Sequence, residues 1–504
     1  MVLRTCGEYN ACIVVTCTFA DYKRLKTCNV LLGDNMALTD QLTPATNLDE
    51  VWKTLSNAPL TEEPEFTAFY RKDVNDVRGN DKIAVMQRGL RQRFGGAFYK
   101  TLLMGHPGVG KSTEMTRLAI SLKDKFRVIR FSAQSDLHPA GFKPFDVLLV
   151  MMIKLVDEVH LLVNEVGETA YPPEELLREI VGWFDSEKIT TKNDLQKDID
   201  ASAEAGVKLE LHKLLSIGAT LKGEIKYTTS RTQEIVQYRL NALSNLIKLL
   251  NRLIGECNEI LRRTSKCEWI FIGEDFDKAG IPRELTEDLF INYSNILEDL
   301  QTHLIFNVPV ELAYSEKKSR FPIDLVGILD TPVFDEHHDS HALGRDALKT
   351  VLEARINSNL FGSGEMNRLI VASGGNLRDL FDIVSKAADN AALAGRDSIE
   401  AEDREFAIND KRLDYKRRLG DAPFNAQAIS YDERVKRLLS VYNQEPGNGI
   451  ADAHLYSLLT ARAVQEFNGK GWYGVHPLVV DILIDDGKIK TTDGSTPRGG
   501  TYGT

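Results

Sequence analysis

The chain has 504 residues, of which 43% are hydrophobic and 27% charged, with a formal net charge of −11 and a pI near 5.6. A chain of this length exceeds what one hydrophobic core usually serves, so two or three domains are expected. The acidic balance argues against a protein coated with nucleic-acid-binding charge, although a local basic patch is compatible with it. The longest apolar run, Val147 to Ile153, is too short for a membrane span, so no membrane partner is expected.

The first 35 residues are interpreted as an extension ahead of the fold. Four of the six cysteines lie there: Cys6, Cys12, Cys17 and Cys28. Without a Cys-x-x-Cys pair or a nearby histidine they predict neither a disulfide framework nor a zinc knot, and the expected compartment is the cytoplasm. The stretch Ala11 to Ala20 has the composition of a signal core, but Glu8 argues against export. Met36 is an alternative start, which would make residues 1–35 a non-native extension.

A polar, proline-punctuated arm from Asp40 to Gly79 precedes the periodic part of the chain. Apolar spacing then predicts a helix, a strand, a helix and a strand, over Lys82 to Phe94, Ala97 to Met104, Lys111 to Lys123 and Phe126 to Phe131. Two further helices follow, over Phe145 to Val166 and Pro173 to Phe184.

An insertion is predicted around residues 186–230, where charged and small polar residues begin abruptly. Within it, Val207, Leu209 and Leu211 alternate with polar residues, as do apolar residues from Leu221 to Tyr227, which predicts an exposed β-hairpin. The apolar stripe from Thr232 to Arg263 is near heptad spacing, and a core helix on the sheet is favoured over a coiled coil.

Two more apolar strands, Trp269 to Gly273 and Leu304 to Val308, complete the alternation of strands with helices. That alternation predicts an α/β fold with a parallel β-sheet. After Pro332 the pattern is helical to about Leu419, and Ser430 begins a last unit of two helices and strand-like pieces.

One glycine-rich run lies between the first predicted strand and its helix: Gly105, His106, Pro107, Gly108, Val109, Gly110, Lys111, Ser112 and Thr113. Its Gly-x-x-x-x-Gly-Lys-Ser spacing is that of a phosphate-binding loop, in which glycines let backbone N–H groups converge on phosphate oxygens. Lys111 would reach the β and γ phosphates, and Ser112 would ligate Mg²⁺. The run therefore predicts binding of ATP with Mg²⁺.

Paired acids end the strand Ile270 to Gly273, as they do in Walker B motifs. Glu274 is assigned to Mg²⁺ and Asp275 to polarising the attacking water, because the carboxyl end of this strand should lie beside the phosphate loop. The order is inverted, since Asp usually comes first. If the strand slips by one residue, Asp275 takes the metal and Asp277 becomes a second candidate acid, and a surface pair without a role is the alternative.

Two further polar residues are candidates for the same site. Asn307 ends the strand that begins at Leu304 and could hydrogen-bond the γ-phosphate or the water. Arg378 falls in the first turn of a helix for which Asn376 is a plausible N-cap. A cation there opposes the helix dipole, which favours a residue that reaches for an anion over a solvated surface arginine.

With these four elements in order, the stretch from about Ile83 to Asp410 resembles AAA+ P-loop ATPases, especially the initiator and helicase-loader branch. The resemblance implies that Asn307 is sensor 1 and that Arg378 is sensor 2 on a helical lid of about 335–410. It also implies a homo-oligomer whose neighbouring subunit supplies an arginine, for which Arg320 is the candidate and a solvated basic turn the alternative. STAND-type and KAP-type bacterial ATPases share the Glu-Asp-Phe-Asp-Lys run.

The C-terminal unit resembles a winged helix, with predicted helices over Val435 to Tyr442 and Ala453 to Val464 and a glycine-rich turn within Phe467 to Tyr473. Such modules often bind DNA, but acids within this one leave a protein contact or lid extension equally open. The predicted domains are an extension and arm (1–80), an ATPase core (81–334), a helical lid (335–425) and a winged-helix-like domain (426–504).

The leading hypothesis is an energy-coupled AAA+ ATPase that remodels or loads a macromolecular partner, with a DNA-linked role and bacterial defence as suggested settings. The alternative is a STAND-like, nucleotide-gated oligomerising switch or scaffold with slow turnover. A small-molecule kinase is a third reading, against which the long lid and the C-terminal module argue.

Overall fold

The computed structural model describes residues 42–167, 170–186, 206–227, 239–278, 280–314, 323–420, 429–467, 471–490 and 497–501. Several sequence predictions lie outside these ranges: the extension of residues 1–35 with its cysteines and Met36, the polar stretch 187–205, and Arg320. Of the helices within them, none is both long enough and apolar enough to cross a membrane.

A five-stranded parallel sheet forms the centre of the core, which confirms the predicted α/β class. Its strands, in chain order, are β1 (Lys100–Met104), β2 (Phe126–Ser132), β3 (Glu268–Glu274), β4 (His303–Val308) and β5 (Asp324–Gly327). The spatial order is β2-β3-β4-β1-β5, with every neighbouring pair parallel. Strand β4 therefore lies between the strand that leads into the glycine loop and the strand that ends in the paired acids.

Helices cover both faces of this sheet, as its apolar strands require. They are α4 (Lys82–Arg93), α5 (Lys111–Leu122), α6 (Pro144–Val166), α7 (Glu174–Ser186), α8 (Val207–Tyr227), α9 (Arg239–Thr264), α10 (Arg283–Glu287) and α11 (Ser294–Asp299), with a π-helical turn at Asp288–Asn292 and a 3₁₀ turn at Val310–Tyr314. Helices α4 and α5 pack with Ile270 and Ile272 on one face. Helices α6 and α9 pack with Phe271 on the other, so α9 is the predicted core helix.

The predicted hairpin between Val207 and Tyr227 is wrong, because this segment is the single helix α8. Its buried side chains include Leu211, Leu214, Leu221 and Ile225, which recur at helical rather than strand spacing. This face packs on α6 and α7. The apparent alternation at the start of the segment covers too few residues to separate the two periods.

The arm carries three short helices, and the lid region four. The arm helices are α1 (Val51–Thr54), α2 (Glu63–Phe69) and α3 (Asp73–Val77), preceded by a 3₁₀ turn at Leu48–Glu50. The lid helices are α12 (Ala342–Glu353), α13 (Glu365–Ala372), α14 (Leu377–Leu393) and α15 (Ala401–Leu419), with a 3₁₀ turn at Ser358–Leu360.

The C-terminal module, residues 429–501, contains α16 (Tyr431–Tyr442), α17 (Ala453–Thr460), the antiparallel hairpin of β6 (Val464–Phe467) and β7 (Trp472–Val475), and α18 (Pro477–Asp485). Helix α17 ends earlier than predicted, because Arg462 adopts a left-handed conformation (φ 58°) that turns the chain into β6. The module, the lid helices and the first part of the arm share one continuous hydrophobic core.

Candidate nucleotide-binding site

The glycine loop leaves β1 at Met104 and enters α5 at Lys111. Gly105, Gly108 and Gly110 have φ values of 153°, 95° and 99°, which residues with a side chain rarely adopt. A Cβ on Gly105 would also lie 2.0 Å from the carbonyl oxygen of Ile328. The loop is thus a turn that only glycine permits, at the N-terminal end of a helix, where backbone N–H groups favour anions.

Lys111 lies folded over the loop, and its side chain is only 4% exposed. Its Nζ donates to the carbonyl oxygens of Gly105 at 2.5 Å and His106 at 2.8 Å. The same ammonium lies 2.8 Å from Oδ2 of Asp277, whose side chain is also 4% exposed. The acid nearest the loop lysine is therefore Asp277, three residues beyond the end of β3.

The two acids assigned from the sequence lie elsewhere. Oε1 of Glu274 accepts from Arg130, with Nε at 2.6 Å and Nη2 at 2.5 Å, and burial raises the pKa of Glu274 despite this cation. Oδ2 of Asp275 accepts from Ser132 Oγ at 2.6 Å, and Asp275 has φ 64°. Neither lines the cavity beside the loop, whereas Asp277 does.

That cavity is bounded by the phosphate loop from Pro107 to Thr113, with Asn307 and Arg378 among the other lining residues. The side-chain oxygen Oδ1 of Asn307 is buried and has no hydrogen-bond partner among the described residues, and the same holds for Oδ1 of Asp277. Two orphaned polar atoms at the same cavity are costly unless a ligand satisfies them.

The first turn of α14 packs directly on the phosphate loop. Asn376 is the N-cap, as predicted, with Oδ1 accepting from the Asp379 N–H at 3.3 Å. The Arg378 N–H donates to the carbonyl oxygen of Gly108 at 3.2 Å. A Cβ on Gly108 would lie 2.4 Å from Oδ1 of Asn376, so the loop and the lid are in close contact.

His106 points away from the cavity into a buried polar pair. Its Nδ1 lies 2.8 Å from Oδ2 of Asp330, and both side chains are 1% exposed. Burial alone would raise the pKa of Asp330, but hydrogen bonds from His106 and Asn376 outweigh it and lower the pKa to about 2. His106 therefore supports the loop from behind, and its side chain is not placed to contact a phosphate.

The arm supplies residues that the sequence analysis did not assign to the site. Residues 56–60 line the cavity. Asn57 Nδ2 donates to Asp382 of the lid at 2.5 Å, and the Leu60 N–H donates to Thr113 Oγ1 of the core at 3.3 Å. Arg78, 3% exposed, donates from Nη1 to the carbonyl oxygen of Val109 at 3.0 Å. No sequence pattern distinguishes these contacts, because each joins residues distant along the chain.

A second polar cluster lies behind the first turn of α14. Oδ2 of Asp379 accepts from Tyr415 at 2.8 Å, and Lys411 Nζ lies 2.8 Å from Oδ1. Burial opposes its charge, yet Arg462 and Lys411 hold the pKa of Asp379 well below its ordinary value. His476 stacks on Tyr415, with ring centroids 4.3 Å apart.

Stability is expected to fall as the pH drops from about 6.5 towards 4, through His476. Burial lowers its pKa from 6.5 to about 4 although Asp379 opposes this, so in that window the unfolded chain binds the proton and the folded chain does not. Over this window the free energy of unfolding should decrease by about 3 kcal/mol. Urea unfolding of the wild type and of His476→Gln at both pH values measures it, and an unchanged pH dependence in the variant would contradict this assignment.

A parallel α/β sheet with this loop between β1 and α5 defines a P-loop nucleoside triphosphatase fold. No protein-family model matches the chain, and no curated protein matches it in sequence.

The chain aligns with solved structures, among them the following three. Cdc6p from Pyrobaculum aerophilum aligns at a TM-score of 0.34 and 11% identity, covering 90% of this chain and 99% of that one. The Walker-type ATPase of Pyrococcus abyssi aligns at a TM-score of 0.37 and 13% identity, covering 86% of this chain and 99% of that one. The RuvB Holliday junction branch migration motor of Thermotoga maritima aligns at a TM-score of 0.33 and 10% identity, covering 86% of this chain and 100% of that one.

Proposed function

We propose that this chain binds ATP with Mg²⁺ at the phosphate loop and hydrolyses it. One observation carries the proposal: Lys111, Asp277 and Asn307 meet beside the loop while Arg378 borders the same cavity from the lid. A cation, an acid, an amide and a second cation around a glycine loop are what phosphoryl transfer needs, since its catalysis is positioning and charge stabilisation.

The residues present suit a nucleotide carrying Mg²⁺. Asp277 offers an oxygen without a partner among the described residues, and Ser112 stands in the first turn of α5 and lines the same cavity. These two side chains would hold the metal, which when bound neutralises charge on the phosphates. Glu274 and Asp275 remain the sequence-based alternative for the acid.

In this proposal Lys111, Asn307 and Arg378 each have a separate task at the site. The ammonium of Lys111 exchanges its loop carbonyls for phosphate oxygens, which keeps the tail of the nucleotide in register. The amide of Asn307 orients the attacking water or the γ-phosphate. Arg378 adds positive charge from the lid, so lid closure and charge stabilisation occur together.

The wider role rests on the sequence resemblance to AAA+ ATPases. In this wider role the chain forms a homo-oligomer in which Arg320 of one subunit acts at the nucleotide site of its neighbour. The oligomer works on a DNA or protein partner through the C-terminal module, with bacterial defence as one setting. The alternative is a nucleotide-gated switch with slow turnover. It is favoured by the enclosure of the loop, which the arm contacts through Arg78 and the lid through Asn376.

Two measurements separate the energy-coupled ATPase from the nucleotide-gated switch. One is the size of the protein in solution with and without Mg·ATP, and the other is steady-state phosphate release with and without DNA at stated salt. An energy-coupled ATPase should assemble with nucleotide and turn over faster with its partner. A switch should assemble yet turn over slowly in every condition. A monomer indifferent to nucleotide would contradict both forms of the proposal.

A further inference from the structure

The side chain of Arg462 links the C-terminal module to the phosphate loop. This residue lies in the left-handed turn between α17 and β6, and its side chain is 11% exposed. Its Nη1 donates to the carbonyl oxygen of Pro107, the third residue of the loop, at 3.3 Å. The contact spans 355 positions of sequence and joins the last module of the chain to the nucleotide site.

The other end of the same guanidinium is fixed by the lid. Nη2 of Arg462 donates to Oδ1 of Asp379 at 3.1 Å, and Asp379 is fully buried in the first turn of α14, next to Arg378. A guanidinium has a rigid planar fork, so a carboxylate on one arm sets the direction of the other. The geometry of Arg462 is therefore determined by the lid and transmitted to the loop.

The peptide that Arg462 holds is the one that turns towards the cavity. Pro107 O also accepts from Asn376 Nδ2 at 3.1 Å, so two donors fix this carbonyl. In a planar trans peptide the C=O and the following N–H point in opposite directions. Fixing Pro107 O on the module side therefore directs the N–H of Gly108 away from the module, and Gly108 lines the nucleotide cavity.

We infer that Arg462 is a positioning residue for the phosphate loop, so that docking of the C-terminal module sets the affinity for nucleotide. This inference rests on the proposed function. Arg462 is not among the residues that line the cavity beside the loop, so it acts through the Pro107–Gly108 peptide. Because coupling between two sites is reciprocal, nucleotide binding should in turn strengthen docking of the module.

Other contacts hold the module in place when Arg462 is replaced. Gln465 Nε2 donates to the Gly374 carbonyl oxygen at 2.9 Å, and His476 Nε2 lies 3.2 Å from the Ser373 carbonyl oxygen. The shared hydrophobic core with the lid also remains. Substitution of Arg462 alone therefore tests loop positioning rather than loss of the module.

The experiment measures dissociation constants of full-length protein for ADP and for Mg·ATP by titration calorimetry. Arg462→Met, which keeps length without donors, should weaken both nucleotides about tenfold and by the same factor, since loop N–H groups bind phosphates common to both. Arg462→Lys, which retains one donor, should return to within about threefold. The matched control is Arg437→Met in the same module, whose Nη2 donates to the Ile450 carbonyl oxygen and should leave both affinities within about twofold.

The outcomes distinguish this inference from the proposal beneath it. Wild-type protein that binds neither nucleotide would overturn both. Normal wild-type binding with an Arg462→Met effect below about twofold, or no larger than that of Arg437→Met, would overturn only the positioning role. A loss of affinity confined to ATP would mean that Arg462 contacts the γ-phosphate directly. A lower Tm with unchanged affinities would mean that Arg462 is purely structural. Either result contradicts the inference.

Discussion

Lys111→Ala is expected to remove nucleotide-dependent activity, with phosphate release falling by about a hundredfold or more. The ammonium donates to two loop carbonyl oxygens and lies 2.8 Å from Asp277. Its removal leaves the phosphates without their main counter-charge and leaves a buried Asp277 unpaired. Nucleotide affinity should fall together with turnover, which titration and phosphate-release assays measure.

The matched control is Lys123→Ala, which follows the last turn of the same helix. Lys123 is exposed, and within the described part of the chain its ion pair is with Glu63, at 3.2 Å, so its loss should change turnover by less than about twofold. If Lys111→Ala kept activity within about threefold of wild type, the phosphate loop would not be the site of chemistry.

Asp277→Asn is expected to lower kcat by about a hundredfold to a thousandfold while ATP binding stays within a few-fold of wild type. The substitution preserves shape but removes the negative charge nearest Lys111, which in this account holds the metal. Turnover and affinity should therefore separate, unlike in Lys111→Ala, where both fall. Steady-state kinetics and nucleotide titration on the same preparations measure the difference.

Parallel variants Glu274→Gln and Asp275→Asn decide between the acids. Glu274 is occupied by Arg130 and Asp275 by Ser132, so their loss should reduce kcat less than the loss of Asp277. A larger fall in kcat for either of them than for Asp277→Asn would favour the sequence-based assignment.

The sheet and the phosphate loop could be predicted because local pattern determines them. Strands such as Trp269 to Gly273 are apolar on both faces, since helices cover both sides of a parallel sheet. The segment from Val207 to Tyr227 was mispredicted as a hairpin because a few alternating residues satisfy both periods, and only packing on α6 and α7 selects the helix.

The acid beside Lys111 depends on how the chain turns after β3. Asp275 has φ 64°, and this turn brings Asp277 rather than Glu274 to the loop lysine. A residue other than glycine rarely adopts that conformation, so Glu274 and Asp275 taken as the end of a regular strand do not reveal that Asp277 is the acid beside Lys111. In the sequence analysis Asp277 was a second candidate acid only for a strand that slips by one residue.

Support from outside the core could not be predicted at all. Arg78 contacts Val109 and Arg462 contacts Pro107, and neither arginine belongs to a motif. Each contact depends on the tertiary placement of a segment that the sequence marks only as an arm or a C-terminal unit. The sequence therefore identifies the loop, whereas the structure identifies what holds it.

The most direct test of the central claim is phosphate release by wild-type protein from ATP with Mg²⁺ and with EDTA, beside Lys111→Ala under both conditions. The wild type is expected to release phosphate only with the metal, and the variant only at the no-enzyme background. Equal release by the two proteins, or no release by the wild type at any magnesium concentration while the fold is intact, would contradict it.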